Sequence, residues 1–206
     1  MKKRVIICLI IFIIWISLIF TDNIGWFDNA VYNCLYSLKS DTFTNIMKII
    51  TALSNPVTII ILTGLSLVGL IWQYKKSLFL VGTIGGSTLL NVILKNIFRR
   101  ARPEHYRFIE ETGFSFPSGH AMGSMSFYGF FIILVLNSKL SKTYKYIISI
   151  ILGLIIFLIG ISRIYLGVHY PSDIVGGYLI SFIWLNIVYE LMRKVGIYES
   201  TNNRRK

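Results

Sequence analysis

The sequence is short of acid: nine Asp and Glu stand against 21 Lys and Arg over 206 residues, leaving a formal charge of +12. No carboxylate cluster of the kind that cages Mg²⁺ or Zn²⁺ can be assembled from them, so no metal and no cofactor are expected. Charged residues of both signs make up only 15% of the chain, too few to clothe a soluble domain of this length. Cysteine occurs twice, with Cys8 in an apolar run and Cys34 beyond it, and the pair has neither metal-ligand spacing nor the makings of a disulfide framework. Proline occurs four times, and neither a low-complexity linker nor a repeat of fixed period divides the chain. A single domain over residues 1–206 follows. The surplus of positive charge sits in short loops and at the termini, not on one continuous face, which argues against a nucleic-acid partner.

What is abundant is hydrocarbon. Hydrophobic residues make up 54% of the chain, its mean hydropathy is +0.66, and its apolar runs continue for about twenty residues, enough to cross roughly 30 Å of bilayer as helices. The spacing predicts an all-α polytopic membrane protein with six spans over about 5–20, 57–72, 77–98, 118–136, 146–161 and 174–192. The first run follows Met-Lys-Lys-Arg and looks at first like a secretory signal. Ile16 to Asp22, however, offers only Ser17 among bulky neighbours where cleavage needs small residues, so the span is read as uncleaved. Between the first two spans, Phe27, Val31, Leu35 and Leu38, then Phe43, Ile46, Met47, Ile50 and Leu53, recur at helical spacing with polar residues between. That pattern fits two amphipathic helices at the interface, with Trp26 as an anchor, against the plainer alternative of a packed loop. In the third run, Gly82, Gly85, Gly86 and Ser87 would permit close helix approach.

Orientation follows from the basic residues. Six spans put both termini on one side. Lys2, Lys3, Arg4, Lys75, Lys76, Lys139, Lys142, Lys145, Arg193, Lys194, Arg204, Arg205 and Lys206 fall there, thirteen of the 21, which marks it as cytoplasmic. On the opposite face six of the remaining eight, Lys95, Arg99, Arg100, Arg102, Arg107 and Arg163, belong to or adjoin three polar stretches at the ends of apolar runs.

Those stretches carry the chemistry. Lys95 is followed after six residues by Arg102-Pro103. Pro117-Ser118-Gly119-His120 opens an apolar helix, where a capping Ser and a Gly leave backbone N–H groups open to an anion. Ser162-Arg163 precedes His169 and Asp173, and Pro171 suits the first turn of the sixth span, placing Asp173 where its side chain reaches back toward His169. Taken singly each has a plainer reading: Lys95 and Arg163 as snorkelling anchors, Pro-Ser-Gly as a helix cap, His120 as a structural histidine. Taken together, three cations, a helix N-terminus and two histidines point to phosphoryl transfer, with one histidine attacking and the other protonating. Glu104, Glu110 and Glu111 read as solvated charge balance, and His105 as a loop histidine.

The three stretches, Lys-x6-Arg-Pro, Pro-Ser-Gly-His and Ser-Arg-x5-His-x3-Asp, resemble the signature motifs of the type 2 phosphatidic acid phosphatase family of membrane lipid phosphatases. Eleven specified positions match in order, and the six-span layout extends the resemblance over nearly the whole chain. The resemblance implies that His169 becomes the phosphohistidine, Asp173 orients it and His120 is the acid to the leaving group. It implies that Lys95, Arg102, Ser118, Gly119 and Arg163 bind phosphate. The family shares this site with vanadium haloperoxidases, but those are soluble, and six apolar runs oppose that reading. The implied partners are the bilayer and a lipid phosphate, with undecaprenyl pyrophosphate, phosphatidylglycerophosphate and phosphatidic acid as candidates and a slight lean to the first from the outward-facing site. A membrane phosphotransferase is the alternative within enzymology. A lipid transporter or non-catalytic scaffold, the alternative of another class, would need none of the eleven residues. Oligomeric state is not legible.

Overall fold

A computed structural model of the chain describes residues 2–104 and 107–198. Within them lie eight helices: α1 (Lys2–Phe20), α2 (Gly25–Tyr36), α3 (Asp41–Ala52), α4 (Pro56–Gly69), α5 (Tyr74–Phe98), α6 (Gly119–Leu136), α7 (Lys142–Tyr165) and α8 (Pro171–Lys194). His105 and the basic tail Arg204-Arg205-Lys206 lie outside the described residues.

Three of the helices start where polar side chains satisfy their first N–H groups. Ser40 accepts from Phe43 N, Asn55 from Val57 N with Pro56 in the first turn, and Ser118 from Ala121 N. Helices α5 to α8 are each long and apolar enough to cross a bilayer alone. Helix α4, at 14 residues, is shorter. The count reaches six when α1 is taken with α2 across an 85° bend and α3 with α4 across a 47° bend. Helix α7 outruns its expected span at both ends, because hydropathy reads only the apolar stretch while helical backbone continues into polar flanks.

Helix α6 is the hub, packed by α5, α7 and α8 and more lightly by α4. Phe127 and Phe130 of α6 meet Leu80 of α5, Ile159 of α7, and Leu185, Val188 and Met192 of α8 in the main core. The outward faces of the bundle are as apolar as its core, with Ile10, Ile13, Ile60, Leu65, Val68, Ile150 and Leu154 all exposed. Surfaces of that kind belong in lipid, and the chain is a multi-pass membrane protein. The expected amphipathic helices are present, and they are more than surface floats. Met47 of α3 is buried with Tyr165, Leu166 and Val168, with Phe43, Ile50 and Leu35 around it, so α3 closes over the end of α7. Trp26 stands out from α2, 75% exposed.

Of the small residues in α5, Gly86 carries the close approach: a Cβ there would strike the indole of Trp184, whereas Gly82 and Gly85 have nothing within 4 Å. The Trp184 Nε1–H donates to Thr83 O at 2.9 Å, which fixes the ring over the glycine. Gly86→Ala should therefore destabilise the protein by roughly 1–3 kcal/mol through overpacking. Gly82→Ala and Gly85→Ala should leave it unchanged or slightly firmer. Thermal unfolding in detergent measures all three, and equal effects would remove Gly86 from this role.

Candidate active site

Four helix ends converge at one end of the bundle. Helix α5 delivers Lys95 in its last turn and stops at Arg99, whose left-handed backbone (φ 47°) swings the chain into the loop 99–118. The loop returns through a cis Phe116–Pro117 peptide to the first residues of α6. Helix α7 delivers Arg163 in its last turn, and after a short connection through His169 helix α8 begins with Pro171. The phenyl ring of Phe116 lies where a Cβ at residue 176 would sit, so Gly176 lets the α6 start seat against α8. The three motifs, 95–103, 117–120 and 162–173, thus meet on one side, as the alternation of spans predicts.

His169 is 1% exposed and Asp173 is fully buried. Asp173 Oδ2 stands 3.5 Å from His169 Nδ1 and also accepts from Tyr170 N at 2.9 Å, the reach-back that Pro171 in the first turn sets up. Ser115 completes the arrangement, donating its hydroxyl to Asp173 Oδ2 while lying 3.4 Å from His169 Nδ1. On the other edge of the ring, Arg102 Nη1 lies 3.2 Å from His169 Nε2. A guanidinium can only donate, so Nε2 is the bare nitrogen and the ring proton sits on Nδ1 facing the carboxylate. Burial lowers the His169 pKa to about 4 against the opposing pull of Asp173. At neutral pH the ring is therefore uncharged and its Nε2 lone pair available.

A cavity of about 360 Å³ opens in front of Nε2, lined at its polar end by Lys95, Arg102, Glu111, Gly119, His120 and His169. Ser118 is fully buried, its hydroxyl engaged with Ala121 N at 3.4 Å and its N–H donating to Asp173 O at 3.3 Å. The first intrahelical bond of α6 runs from Met122 N to Ser118 O. The N–H groups of Gly119 and His120 therefore precede any helical partner, and both residues line the cavity. Arg102 also donates to the carbonyls of Thr112, Gly113 and Val168, and Lys95 Nζ to Phe114 O at 2.6 Å. Arg163 is 1% exposed, donates to Thr51 Oγ1 at 2.9 Å and pairs with Glu111, and its Nε–H has no acceptor among the described residues.

Glu111 corrects an expectation. It does not balance charge in solvent but reaches inward, one carboxylate oxygen on Arg163 and the other 3.9 Å from Arg102. Burial alone would raise its pKa, but Arg163 and then Arg102 carry it below the usual carboxylate range. Its loop is pinned by Phe108 N donating to Leu166 O at 3.1 Å and by the Phe108 ring stacked on Tyr165.

Four residues of the site lie outside the motif reading: Ser115, Thr51, Arg100 and Asp28. Arg100 donates to Asp173 Oδ1 at 2.6 Å, to Ser172 Oγ at 2.8 Å and to Asp28 Oδ2 at 2.9 Å. Asp28, buried in α2, accepts in addition from Ser172 N and Ser172 Oγ. A signal was available in the single acidic residue of the amphipathic stretch around Trp26 to Tyr36, but nothing in the sequence says which cation it meets.

The comparisons with known proteins agree with this geometry. Residues 76–197 match the model of the PAP2 superfamily. Phosphatidylglycerophosphatase B of Bacillus subtilis is 30% identical over 190 residues, spanning 89% of this chain and 92% of the relative. Lipid A 1-phosphatase of Rhizobium etli is 33% identical over 109 residues, 48% of this chain and 43% of that protein. A solved structure of a transmembrane PAP2 type phosphatidylglycerolphosphate phosphatase from Bacillus subtilis superposes with a TM-score of 0.86 at 28% identity, covering 95% of this chain and 98% of the other. With a family match over more than half the sequence, and a full-length relative whose name is that of a phosphatase, the chain belongs to the PAP2 superfamily and is a membrane phosphatase.

Proposed function

We propose that the protein hydrolyses a lipid phosphate through a phosphohistidine on His169. The observation that carries this reading is the cavity. One end holds both histidines with Lys95 and Arg102. The other is lined by Pro56, Ile59, Ile60 and Ile84, and Ile60 is itself exposed on the outer face of α4. A phosphate and the first carbons of a chain fit such a space together. In the proposed cycle the phosphoryl oxygens take the N–H groups of Lys95, Arg102 and Arg163, including the unsatisfied Arg163 Nε–H, and those of Gly119 and His120. Ser118 holds the start of α6 in place for them. Occupying Arg102 frees the His169 Nε2 lone pair, which attacks phosphorus as the bond to the leaving oxygen breaks. His120 gives that oxygen its proton. Water then attacks the phosphohistidine, His120 takes the water's proton, and phosphate leaves with His169 restored. Asp173 holds the Nδ1–H throughout.

Among lipid phosphates, the name of the near-full-length relative favours phosphatidylglycerophosphate over the undecaprenyl pyrophosphate toward which the outward-facing site alone leans. Release of phosphate from a panel of these two and phosphatidic acid, presented in mixed micelles to purified protein, decides the order. Equal failure on all three, with soluble phosphomonoesters cleaved well, would overturn the lipid reading. Vanadate, which mimics the pentavalent phosphorus, should compete with each substrate.

The reading also places the site on the extracytoplasmic face, supported by the excess of basic residues at the opposite end of the spans. With exposed Cys34 replaced, Glu110→Cys should react with an impermeant thiol reagent on intact cells and Lys75→Cys should not. The reverse labelling pattern would move the site to the cytoplasm.

A further inference from the structure

Arg100 does not line the cavity, yet its guanidinium is tied to three acceptors. One nitrogen donates to Asp173 Oδ1 at 2.6 Å and to Ser172 Oγ at 2.8 Å, and another to Asp28 Oδ2 at 2.9 Å. Its Cζ lies 4.2 Å from the centre of the Tyr170 ring, over its face, which leaves it little freedom to turn. Asp28 is held in turn by the N–H and hydroxyl of Ser172, at 2.8 Å and 2.6 Å, and Trp15 Nε1 donates to Ser172 O at 3.0 Å. We propose that Arg100, braced by Asp28 of the amphipathic helix α2, is the positioning residue that fixes the Asp173 carboxylate and through it aims His169 Nε2 at phosphorus. The proposal rests on the reading of His169 as nucleophile and Asp173 as its orienter.

Three observations lead there. The two Asp173 oxygens have separate duties: Oδ2 takes Ser115, Tyr170 N and His169 Nδ1, while the acceptor at Oδ1 is filled by Arg100. A fully buried carboxylate with Oδ1 unpaired would protonate or rotate to find another donor, and either change releases the Nδ1–H. The backbone adds a second tie, since Ser115 N donates to Arg100 O at 2.8 Å, so the cation on one oxygen and the hydroxyl on the other move as one unit. Finally, an Arg100–Asp28 pair alone would suffice to fasten the loop 99–118 to α2. A purely structural tie has no use for a second carboxylate, and the one recruited is the partner of His169.

The test uses full-length protein in detergent with p-nitrophenyl phosphate. Arg100→Gln should lower kcat by roughly 10- to 100-fold, one step weaker than losing an orienting carboxylate outright. KM should stay within about threefold, because Arg100 does not reach the cavity, while vanadate inhibition should weaken along with kcat. Asp28→Asn, which keeps shape and removes only charge, should lower kcat by about 3- to 10-fold and carries the test should Arg100→Gln fail to fold. Arg100→Lys should recover part of the loss. In an Asp173→Asn background neither substitution should cost anything further, since both act through the carboxylate that is already gone. A rise in KM at constant kcat, an unchanged kcat in Asp28→Asn, or an undiminished loss in the Asp173→Asn background would overturn the proposal. Turnover surviving His169→Ala would instead overturn the reading on which it rests.

Discussion

His169→Ala is expected to form no phosphoenzyme with any substrate and to lose on the order of 10⁵- to 10⁶-fold in kcat, the scale seen when a nucleophile is removed from a site that works as a unit. The geometry leaves no substitute. Ser115 Oγ is given to Asp173, His120 stands on a different helix, and a bare Nε2 at the cavity wall belongs to His169. The loss should appear in kcat and in vanadate affinity together, because the pentavalent form takes His169 Nε2 as an apical ligand, while binding of inorganic phosphate through Lys95, Arg102 and the first N–H groups of α6 should remain. Rapid-quench trapping of ³²P-labelled, acid-labile protein provides the measurement. A phosphoenzyme in His169→Ala would show that the nucleophile is elsewhere, and its presence there with absence from His120→Ala would show the two roles to be inverted.

His120→Ala is expected to separate leaving groups. With a lipid alcohol the departing oxygen needs a proton, so the loss should be on the order of 10² to 10⁴. With a nitrophenolate, which leaves unprotonated, phosphorylation of His169 should persist near the parent rate. The two substrates must be compared on one preparation, and an equal loss on both would make His120 a phosphate ligand or a structural residue instead of the acid. The burial of His169 in the connection between α7 and α8 and the placement of His120 in the first turn of α6 keep the two rings on separate elements, so removal of one leaves the other's support intact.

The motif residues were legible because their spacing is local. Asp173 lies four residues from His169, and a proline in the first helical turn is enough to predict that its side chain reaches back. The meeting of 95–103, 117–120 and 162–173 was legible from the alternation of spans. Asp28, by contrast, finds Ser172 across 144 positions, and Arg100 finds Asp173 across 73. No periodicity encodes such a pairing. Glu111 was misplaced for a related reason: three acids in an arginine-rich loop look alike in sequence, and only the folded loop, pinned by Phe108, turns one of them inward. The run of small residues in α5 reads as one feature in the sequence, yet the helix carries Gly82 and Gly85 to open space and Gly86 to Trp184. The bends that follow α1 and precede α4 fall at Thr21–Ile24 and Leu53–Asn55, where hydropathy carries no angular information.

The pairing of the first helix with the last has a consequence for how the protein is made. Phe12 and Ile19 of α1 are buried against Ile183 of α8, and Trp15 reaches Ser172 across 157 positions. At about 5–20 residues per second of synthesis, α1 and the carboxylate of Asp28 wait roughly ten to thirty seconds for the element that covers them. Lipid can shelter the apolar face of α1 during that interval, but Asp28 has to stay in contact with water until Arg100 and then Ser172 arrive. The closing event of biogenesis is therefore the docking of α8, which covers the first helix and completes the site in a single step. A chain halted before α8 would expose the Asp28–Arg100 pair at the membrane surface, stripped of Ser172 and Asp173, the kind of mark by which an unfinished membrane protein can be told from a finished one.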